Sequence, residues 1–155
     1  MPMVYEVSLA TAGVLTTGTS NTETDAWFIK AGVRNAYLTS VRVQGKANAA
    51  TTISGISFRV IKLATASTAG TAITPAPRDP GMQASKATSA SRPTIGATRT
   101  QHVIFGCGKA GPGGWVAETP DHKIVMEGGG AFSTDMIDVS TEAALTYEFS
   151  ASFEE

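Results

Sequence analysis

Residues 145–154 alternate without a break. Leu145, Tyr147, Phe149, Ala151 and Phe153 occupy one parity; Thr146, Glu148, Ser150, Ser152 and Glu154 occupy the other. Successive side chains of a strand point to opposite faces, so a period of two builds a strand with one dry face and one wet face. A helix would scatter the same aromatics around its axis. Shorter runs of this kind recur upstream. Val4, Glu6 and Ser8 alternate with Tyr5, Val7 and Leu9. Tyr37, Val41 and Val43 are expected on one face, against Ser40, Arg42 and Gln44 on the other. Ile56, Phe58 and Val60 oppose Ser57 and Arg59, and Val103 and Phe105 oppose His102 and Thr100, with Ile104 breaking the pattern. Apolar runs at 27–30, 115–117, 123–126 and 132–139 complete a set of eight or nine short strands separated by Gly, Pro, Asn and Thr clusters.

No stretch of ten residues shows apolar spacing of three and four, and residues 140–144 offer a turn at most. Many short strands without helices predict an all-β chain, an antiparallel two-sheet β-sandwich or jelly roll with long Pro/Thr/Ala-rich loops. At 155 residues the chain fits one domain spanning 1–155. Such a length buries enough surface to fold without a disulfide or metal. Two segments interrupt the strands. Residues 11–25 are rich in Thr, Gly, Ser and Asn, and residues 64–95 carry Pro75, Pro77, Pro80 and Pro93 with few large apolar side chains. A long loop of this kind is commonly functional or disordered. Prolines lower the entropy lost on docking, so 64–95 is expected to be an extended arm that orders against a neighbouring subunit.

Charge excludes several functions. The net charge is -1, and the twelve Lys and Arg are spread singly, so no basic stripe exists to neutralise phosphates. Direct nucleic-acid binding is not expected. No apolar run approaches the roughly 20 residues of a membrane helix, and MPMVYEVSLA lacks the charged and apolar regions of a secretory signal. Synthesis in a cytoplasm is the expectation. With 23 Ala, 21 Thr, 13 Ser and 16 Gly, small residues make up 73 of 155, while charged residues are only 16%. Freely diffusing domains carry about 25% charge, so the balance leans toward a component of an assembly.

Candidate chemistries fail on their own requirements. Gly106, Gly108 and Gly111 match the dinucleotide fingerprint, yet Pro112, Gly113 and Gly114 follow at once, so no helix can receive a pyrophosphate. The phosphate-loop pattern fails at Val103 and Ala110. A wide glycine loop between strands remains. Cys107 with His102 or His122 could form a nucleophile–base pair, but nothing in the pattern orients a base, and a lone Cys among glycines reads as a small core residue. Zinc wants four ligands in a recognisable spacing. Asp135 and Asp138 approach a calcium-loop composition without its Gly turn or a third oxygen ligand. Glu118 near Trp115 is the single pair resembling a sugar subsite, and Trp27 and Trp115 suit a core or an interface better. Gly128, Gly129 and Gly130 make a turn. No catalytic residue, metal or cofactor is expected, and the chain is read as a non-enzyme.

The run from Trp115 through Pro120, Ile124–Val125–Met126, Gly128–Gly129–Gly130 and Met136–Ile137–Asp138 to Leu145-Thr-Tyr-Glu-Phe149 and Glu154 resembles the small head proteins of tailed bacteriophages. In particular it is similar to capsid decoration, or cement, proteins with a jelly-roll-like β-sandwich. Thr74-Pro-Ala-Pro-Arg-Asp-Pro-Gly81 is similar in style to their Pro-rich loops, and the resemblance covers roughly two thirds of the chain. It implies a structural virion protein, made in a bacterial cytoplasm and bound to the outer surface of a major capsid protein lattice. It also implies a homo-oligomer, dimer or trimer, that bridges capsomers to stabilise the shell. It brings no catalytic residues. The partner contacts expected from this sequence are Thr74, Pro75, Pro77, Arg78, Asp79, Pro80, Arg92 and Pro93, with Met1 and Tyr5 at the start of the chain. Two other readings compete. One is a tail-tube, fibre-base or head–tail adaptor protein; the other is a carbohydrate-binding jelly roll using Trp115, Trp27 or Tyr37 to stack on sugars.

Overall fold

The computed structural model describes residues 2–8, 15–16, 23–46, 55–108, 110–138 and 146–155. Among them thirteen strands run β1 (Val4–Ser8), β2 (Leu15–Thr16), β3 (Thr24–Lys30), β4 (Ala36–Lys46), β5 (Gly55–Thr65), β6 (Thr71–Ala72) and β7 (Ala76–Pro77), then β8 (Thr88–Ser91), β9 (Ala97–Gly108), β10 (Pro112–Val116), β11 (Ile124–Met126), β12 (Ser133–Asp138) and β13 (Thr146–Glu154). One 3-10 turn, Pro120–His122, is the helical exception. Every ladder is antiparallel. The order is β6-β8-β3-β12-β5-β9-β10-β4-β13-β1-β7, with β11 on β4 and β2 on β13.

One continuous sheet therefore builds both layers of the sandwich. β8, β3, β12, β5 and β9 form one layer; β10, β11, β4, β13 and β1 form the other. The sheet bends between β9 and β10, which share one residue pair, Cys107 and Gly113. Gly113 is required there because a Cβ on it would stand 1.9 Å from the Gly106 carbonyl oxygen. The alternating aromatics of β13 meet the opposite layer. Phe58 packs edge-on against Tyr147 at 4.9 Å between centroids, and Trp27 meets Phe149 at 5.5 Å. Burying each such ring stabilises the fold by about 1.5–3 kcal/mol before entropy is counted. The all-β, antiparallel, jelly-roll-like sandwich expected from the alternation is the fold observed.

The segment 64–95 departs from the irregular arm expected of it. β6 pairs with β8 at one sheet margin, and β7 pairs with β1 at the other. Residues 71–77 thus strap together the edges of the two layers. Ser67 and Pro75 are buried, and the Tyr5 hydroxyl donates to the Gln83 carbonyl at 3.0 Å. The Glu155 carboxylate accepts from the Ser85 hydroxyl and from the amides of Lys86 and Ala87. These strands lack apolar alternation because they are two to four residues long, and their hydrogen bonds come from partners distant in sequence.

Three bulges redirect side chains. Ser152 pairs with Ser40 and Phe153 with Leu38, leaving Thr39 extra, and its hydroxyl donates to the Ser152 carbonyl at 2.9 Å. An extra residue reverses which parity faces inward, so Leu38 is buried and Tyr37 is exposed, opposite to the expectation for Tyr37. His102 is the extra residue of β9 against Val60 and Ile61. Ala26 is the extra residue of β3 against Met136 and Ile137.

Candidate functional site

The residues weighed for catalysis are dispersed or enclosed. Gly106 and Gly108 end β9, and Gly111 sits in the hairpin to β10, with its amide donating to the Gly108 carbonyl at 3.1 Å. A hairpin stands where a nucleotide fold needs a helix. Cys107 belongs to the core and burial pushes its thiol pKa up, away from the nucleophilic thiolate. His102 lies five residues along the same strand, about 16 Å away at strand rise. Its pKa is lowered, by desolvation first and then by Lys62. His122 is exposed in the 3-10 turn.

Asp135 and Asp138 are three apart on β12, which puts them on opposite faces of the sheet, so they cannot share an ion. Among the described residues no group of three or more His, Cys, Asp or Glu converges as a metal site. Trp27 is fully buried and its indole N–H donates to the Ser89 hydroxyl, which removes it as a sugar platform. Trp115 packs against the core and Glu118 is exposed. Gly129 and Gly130 take positive φ, 97° and 70°, in the turn before β12. A shallow groove of about 380 Å³ lies among Ser8, Arg42, Gln44, Pro112 and Glu148, where Glu148 is held by Lys46 at 2.9 Å.

The residues expected to touch a partner divide into three groups. Thr74, Arg78, Asp79 and Pro80 are exposed on the strap and the turn that follows it, where Asp79 Oδ1 accepts the Gly81 amide at 2.9 Å. Pro77, Arg92 and Pro93 are half-buried, and Arg92 reaches Asp138 at 3.3 Å. Tyr5 and Pro75 are interior, Tyr5 being stacked on Phe153 at 5.5 Å, so the expectation that these two meet a partner is corrected. An aromatic beside a second apolar strand gains more from the core than from water. Met1 lies outside the described residues.

Apart from Val33 between β3 and β4 and Ile95 before β9, the exposed large apolar side chains lie on β4, β9, β10 and β11. Ile104 is 63% exposed, Val116 55%, and Tyr37 and Val125 40% each. Tyr37 and Val125 are direct cross-strand partners. Val116 pairs with Ser40, three residues further along β4 and so about 10 Å from that pair. Ile104 stands on β9, beyond the single Cys107–Gly113 pair that joins β9 to β10. Residues 97–106 pair with β5 on one edge, and their other edge has no strand against it among the described residues. Free edges are templates for a further strand. The bulge at His102 and the φ of 59° at Thr98 break this edge into short stretches, which restrains indiscriminate pairing. Ile104 breaking its strand's alternation was the sequence signal for this surface. Tyr37 gave none, because the bulge that exposes it is a property of the pairing.

No family model matches the chain, and no curated protein matches it. Among solved structures, a mutant VP2 protein of infectious bursal disease virus in derived T=1 particles shows a distant likeness, at 11% identity and a TM-score of 0.20. The alignment takes in 99% of this chain and 40% of that one.

Proposed function

We propose that this chain is a non-enzymatic structural protein of a virion that docks on the outer surface of an assembled capsid lattice. The observation that carries the reading is the exposed apolar group of Val116, Tyr37 and Val125 on β10, β4 and β11, with Ile104 exposed on β9, whose edge over residues 97–106 has no strand against it among the described residues. Monomeric domains seldom leave clustered apolar groups next to an open strand edge unless a protein covers them. The exposed strap residues Thr74, Arg78, Asp79 and Pro80 supply a second surface, at the margin tied by β6 and β7. Two surfaces let one copy touch two capsomers. A contact of about 800 Å² per partner makes a specific interface. Repetition around a shell multiplies its effect, and binding only the assembled state shifts assembly by mass action. The fold also suits this role mechanically, since residues 71–77 tie the β8 edge of one layer to the β1 edge of the other.

Purified protein mixed with empty shells of its particle tests the reading. Co-sedimentation and a rise in shell melting temperature are expected. Absence of both would discard it. Closed rings of the pure protein, seen by electron microscopy, would instead favour a tail-tube role, with β9 pairing between copies.

A further inference from the structure

Asp25 and Asp135 lie 110 positions apart and meet on the outer face of the β3–β12 ladder. The extra residue Ala26 places Asp25 opposite Ile137, on the face that Asp135 shares with Ser133. Both carboxyls are buried, Asp25 at 7% exposure and Asp135 at 0%. Residues 66–68 and 94–96 close over them as a flap. The Ser67 amide donates to Ser133 Oγ at 3.0 Å, the Gly96 amide donates to Ser67 Oγ at 3.0 Å, and Thr68 and Thr94 exchange backbone hydrogen bonds. Beside the pair lies a small separate apolar cluster of Ile61, Leu63 and Ile137.

Counting hydrogens assigns the protonation. Two hydroxyl hydrogens are available. Ser133 Oγ stands 2.5 Å from Asp135 Oδ1 and Ser67 Oγ stands 2.5 Å from Asp135 Oδ2, so both are spent on Asp135. Ser67 Oγ is 3.4 Å from Asp25 Oδ2 but has no second hydrogen to give, and Asp25 Oδ1 has no donor at all. An ionised Asp25 would then be a buried charge resting on the Trp27 amide alone, with Oδ1 left bare and a second carboxylate facing it. That arrangement is among the costliest in a protein interior. A protonated Asp25 resolves it by donating to the Asp135 carboxylate.

We propose that Asp25 is carried as a neutral acid and that its proton fastens the flap of residues 66–68 and 94–96 to the sheet, so that the flap opens more readily as pH rises. Burial and the neighbouring Asp135 push the Asp25 pKa up to about 10. Once the flap opens, Asp25 is an ordinary exposed carboxyl near 3.9. The sign follows: the closed form holds one more proton than the open form between those limits. The fastening is complete below about pH 4 and is lost as pH climbs toward 10, with opening favoured tenfold per unit. The other charged groups near the pair are Lys30 on β3, which acts on Asp135, and Asp138 on β12 with its partner Arg92. Tyr147 on β13 feels Asp25 and has its own pKa raised by burial. Neither histidine acts on the pair. This device is independent of any partner.

Hydrogen exchange of the whole protein between pH 5 and 8, corrected for intrinsic rates, tests it at the amides of Ser67, Thr68, Thr94 and Gly96. Their opening constants should rise about tenfold per pH unit, while those of β4 and β13 rise less. In Asp25→Asn, a neutral isostere, the slope should vanish and protection at pH 8 should exceed wild type. If that variant does not fold, infrared spectra of the wild type should show a buried carboxylic-acid carbonyl band at pH 7. Equal slopes in variant and wild type, or no acid band, would overturn the proposal. So would flap protection that rises with millimolar calcium and falls with chelator, since a cation would then hold the place of the proton.

Discussion

The Tyr147 hydroxyl donates to Asp138 Oδ2 at 2.8 Å within the core, joining β13 of one layer to β12 of the other. Both residues are fully buried, so the bond lies where water cannot replace it. Tyr147→Phe keeps the ring against Phe58 and removes one donor from a buried carboxylate. A loss of about 1–3 kcal/mol is expected, read as a lower midpoint with an unchanged m-value in urea unfolding. An unchanged midpoint would mean that the bond contributes nothing net.

At the bend between layers, Gly113→Ala would set a methyl 1.9 Å from the Gly106 oxygen and 2.9 Å from Cys107 Cβ. Backbone must move on both sides, so destabilisation of about 1–3 kcal/mol or more is expected. Thermal unfolding should show it. Ala at the exposed turn residue Asp121 serves as a control within about 0.5 kcal/mol of wild type.

Glu155→Gln weakens the carboxylate that gathers Ser85, Lys86 and Ala87 at 2.8–3.1 Å. An amide keeps one accepting oxygen and turns a donor toward groups that also donate. Local opening should become easier by about 1 kcal/mol, which is roughly fivefold faster proteolysis within residues 78–88. Global unfolding should shift far less. Equal shifts in both measurements would show that the segment is not a separate unit.

For the proposed docking surface, Ile104→Asp together with Val116→Asp should leave the melting temperature close to wild type, because both side chains are largely exposed. Shell binding should fall by at least tenfold. Unaltered binding would move the interface away from the β9–β10 margin, with the exposed strap residues Thr74 and Arg78 next in line for the same measurement.

The long ladders were legible without coordinates wherever one face of a strand is dry. In β13 every odd residue from Tyr147 to Phe153 is buried, because local alternation and burial there obey the same period. The lack of α-helix among the described residues, the glycine loop between β9 and β10 and the core role of Cys107 were readable for the same reason: each depends on neighbours in sequence.

Tertiary pairing decided the rest. Strands β6, β7 and β8 exist because distant edges offer them hydrogen bonds, so a segment rich in Pro, Thr and Ala became a strap within its own chain. The inserted residues Ala26 and Thr39 changed which face Asp25 and Tyr37 occupy. A one-residue bulge is a property of two strands in register, and neither strand alone encodes it. Local sequence sets which residues prefer water. Only the paired sheet determines where one buried acid comes to face another.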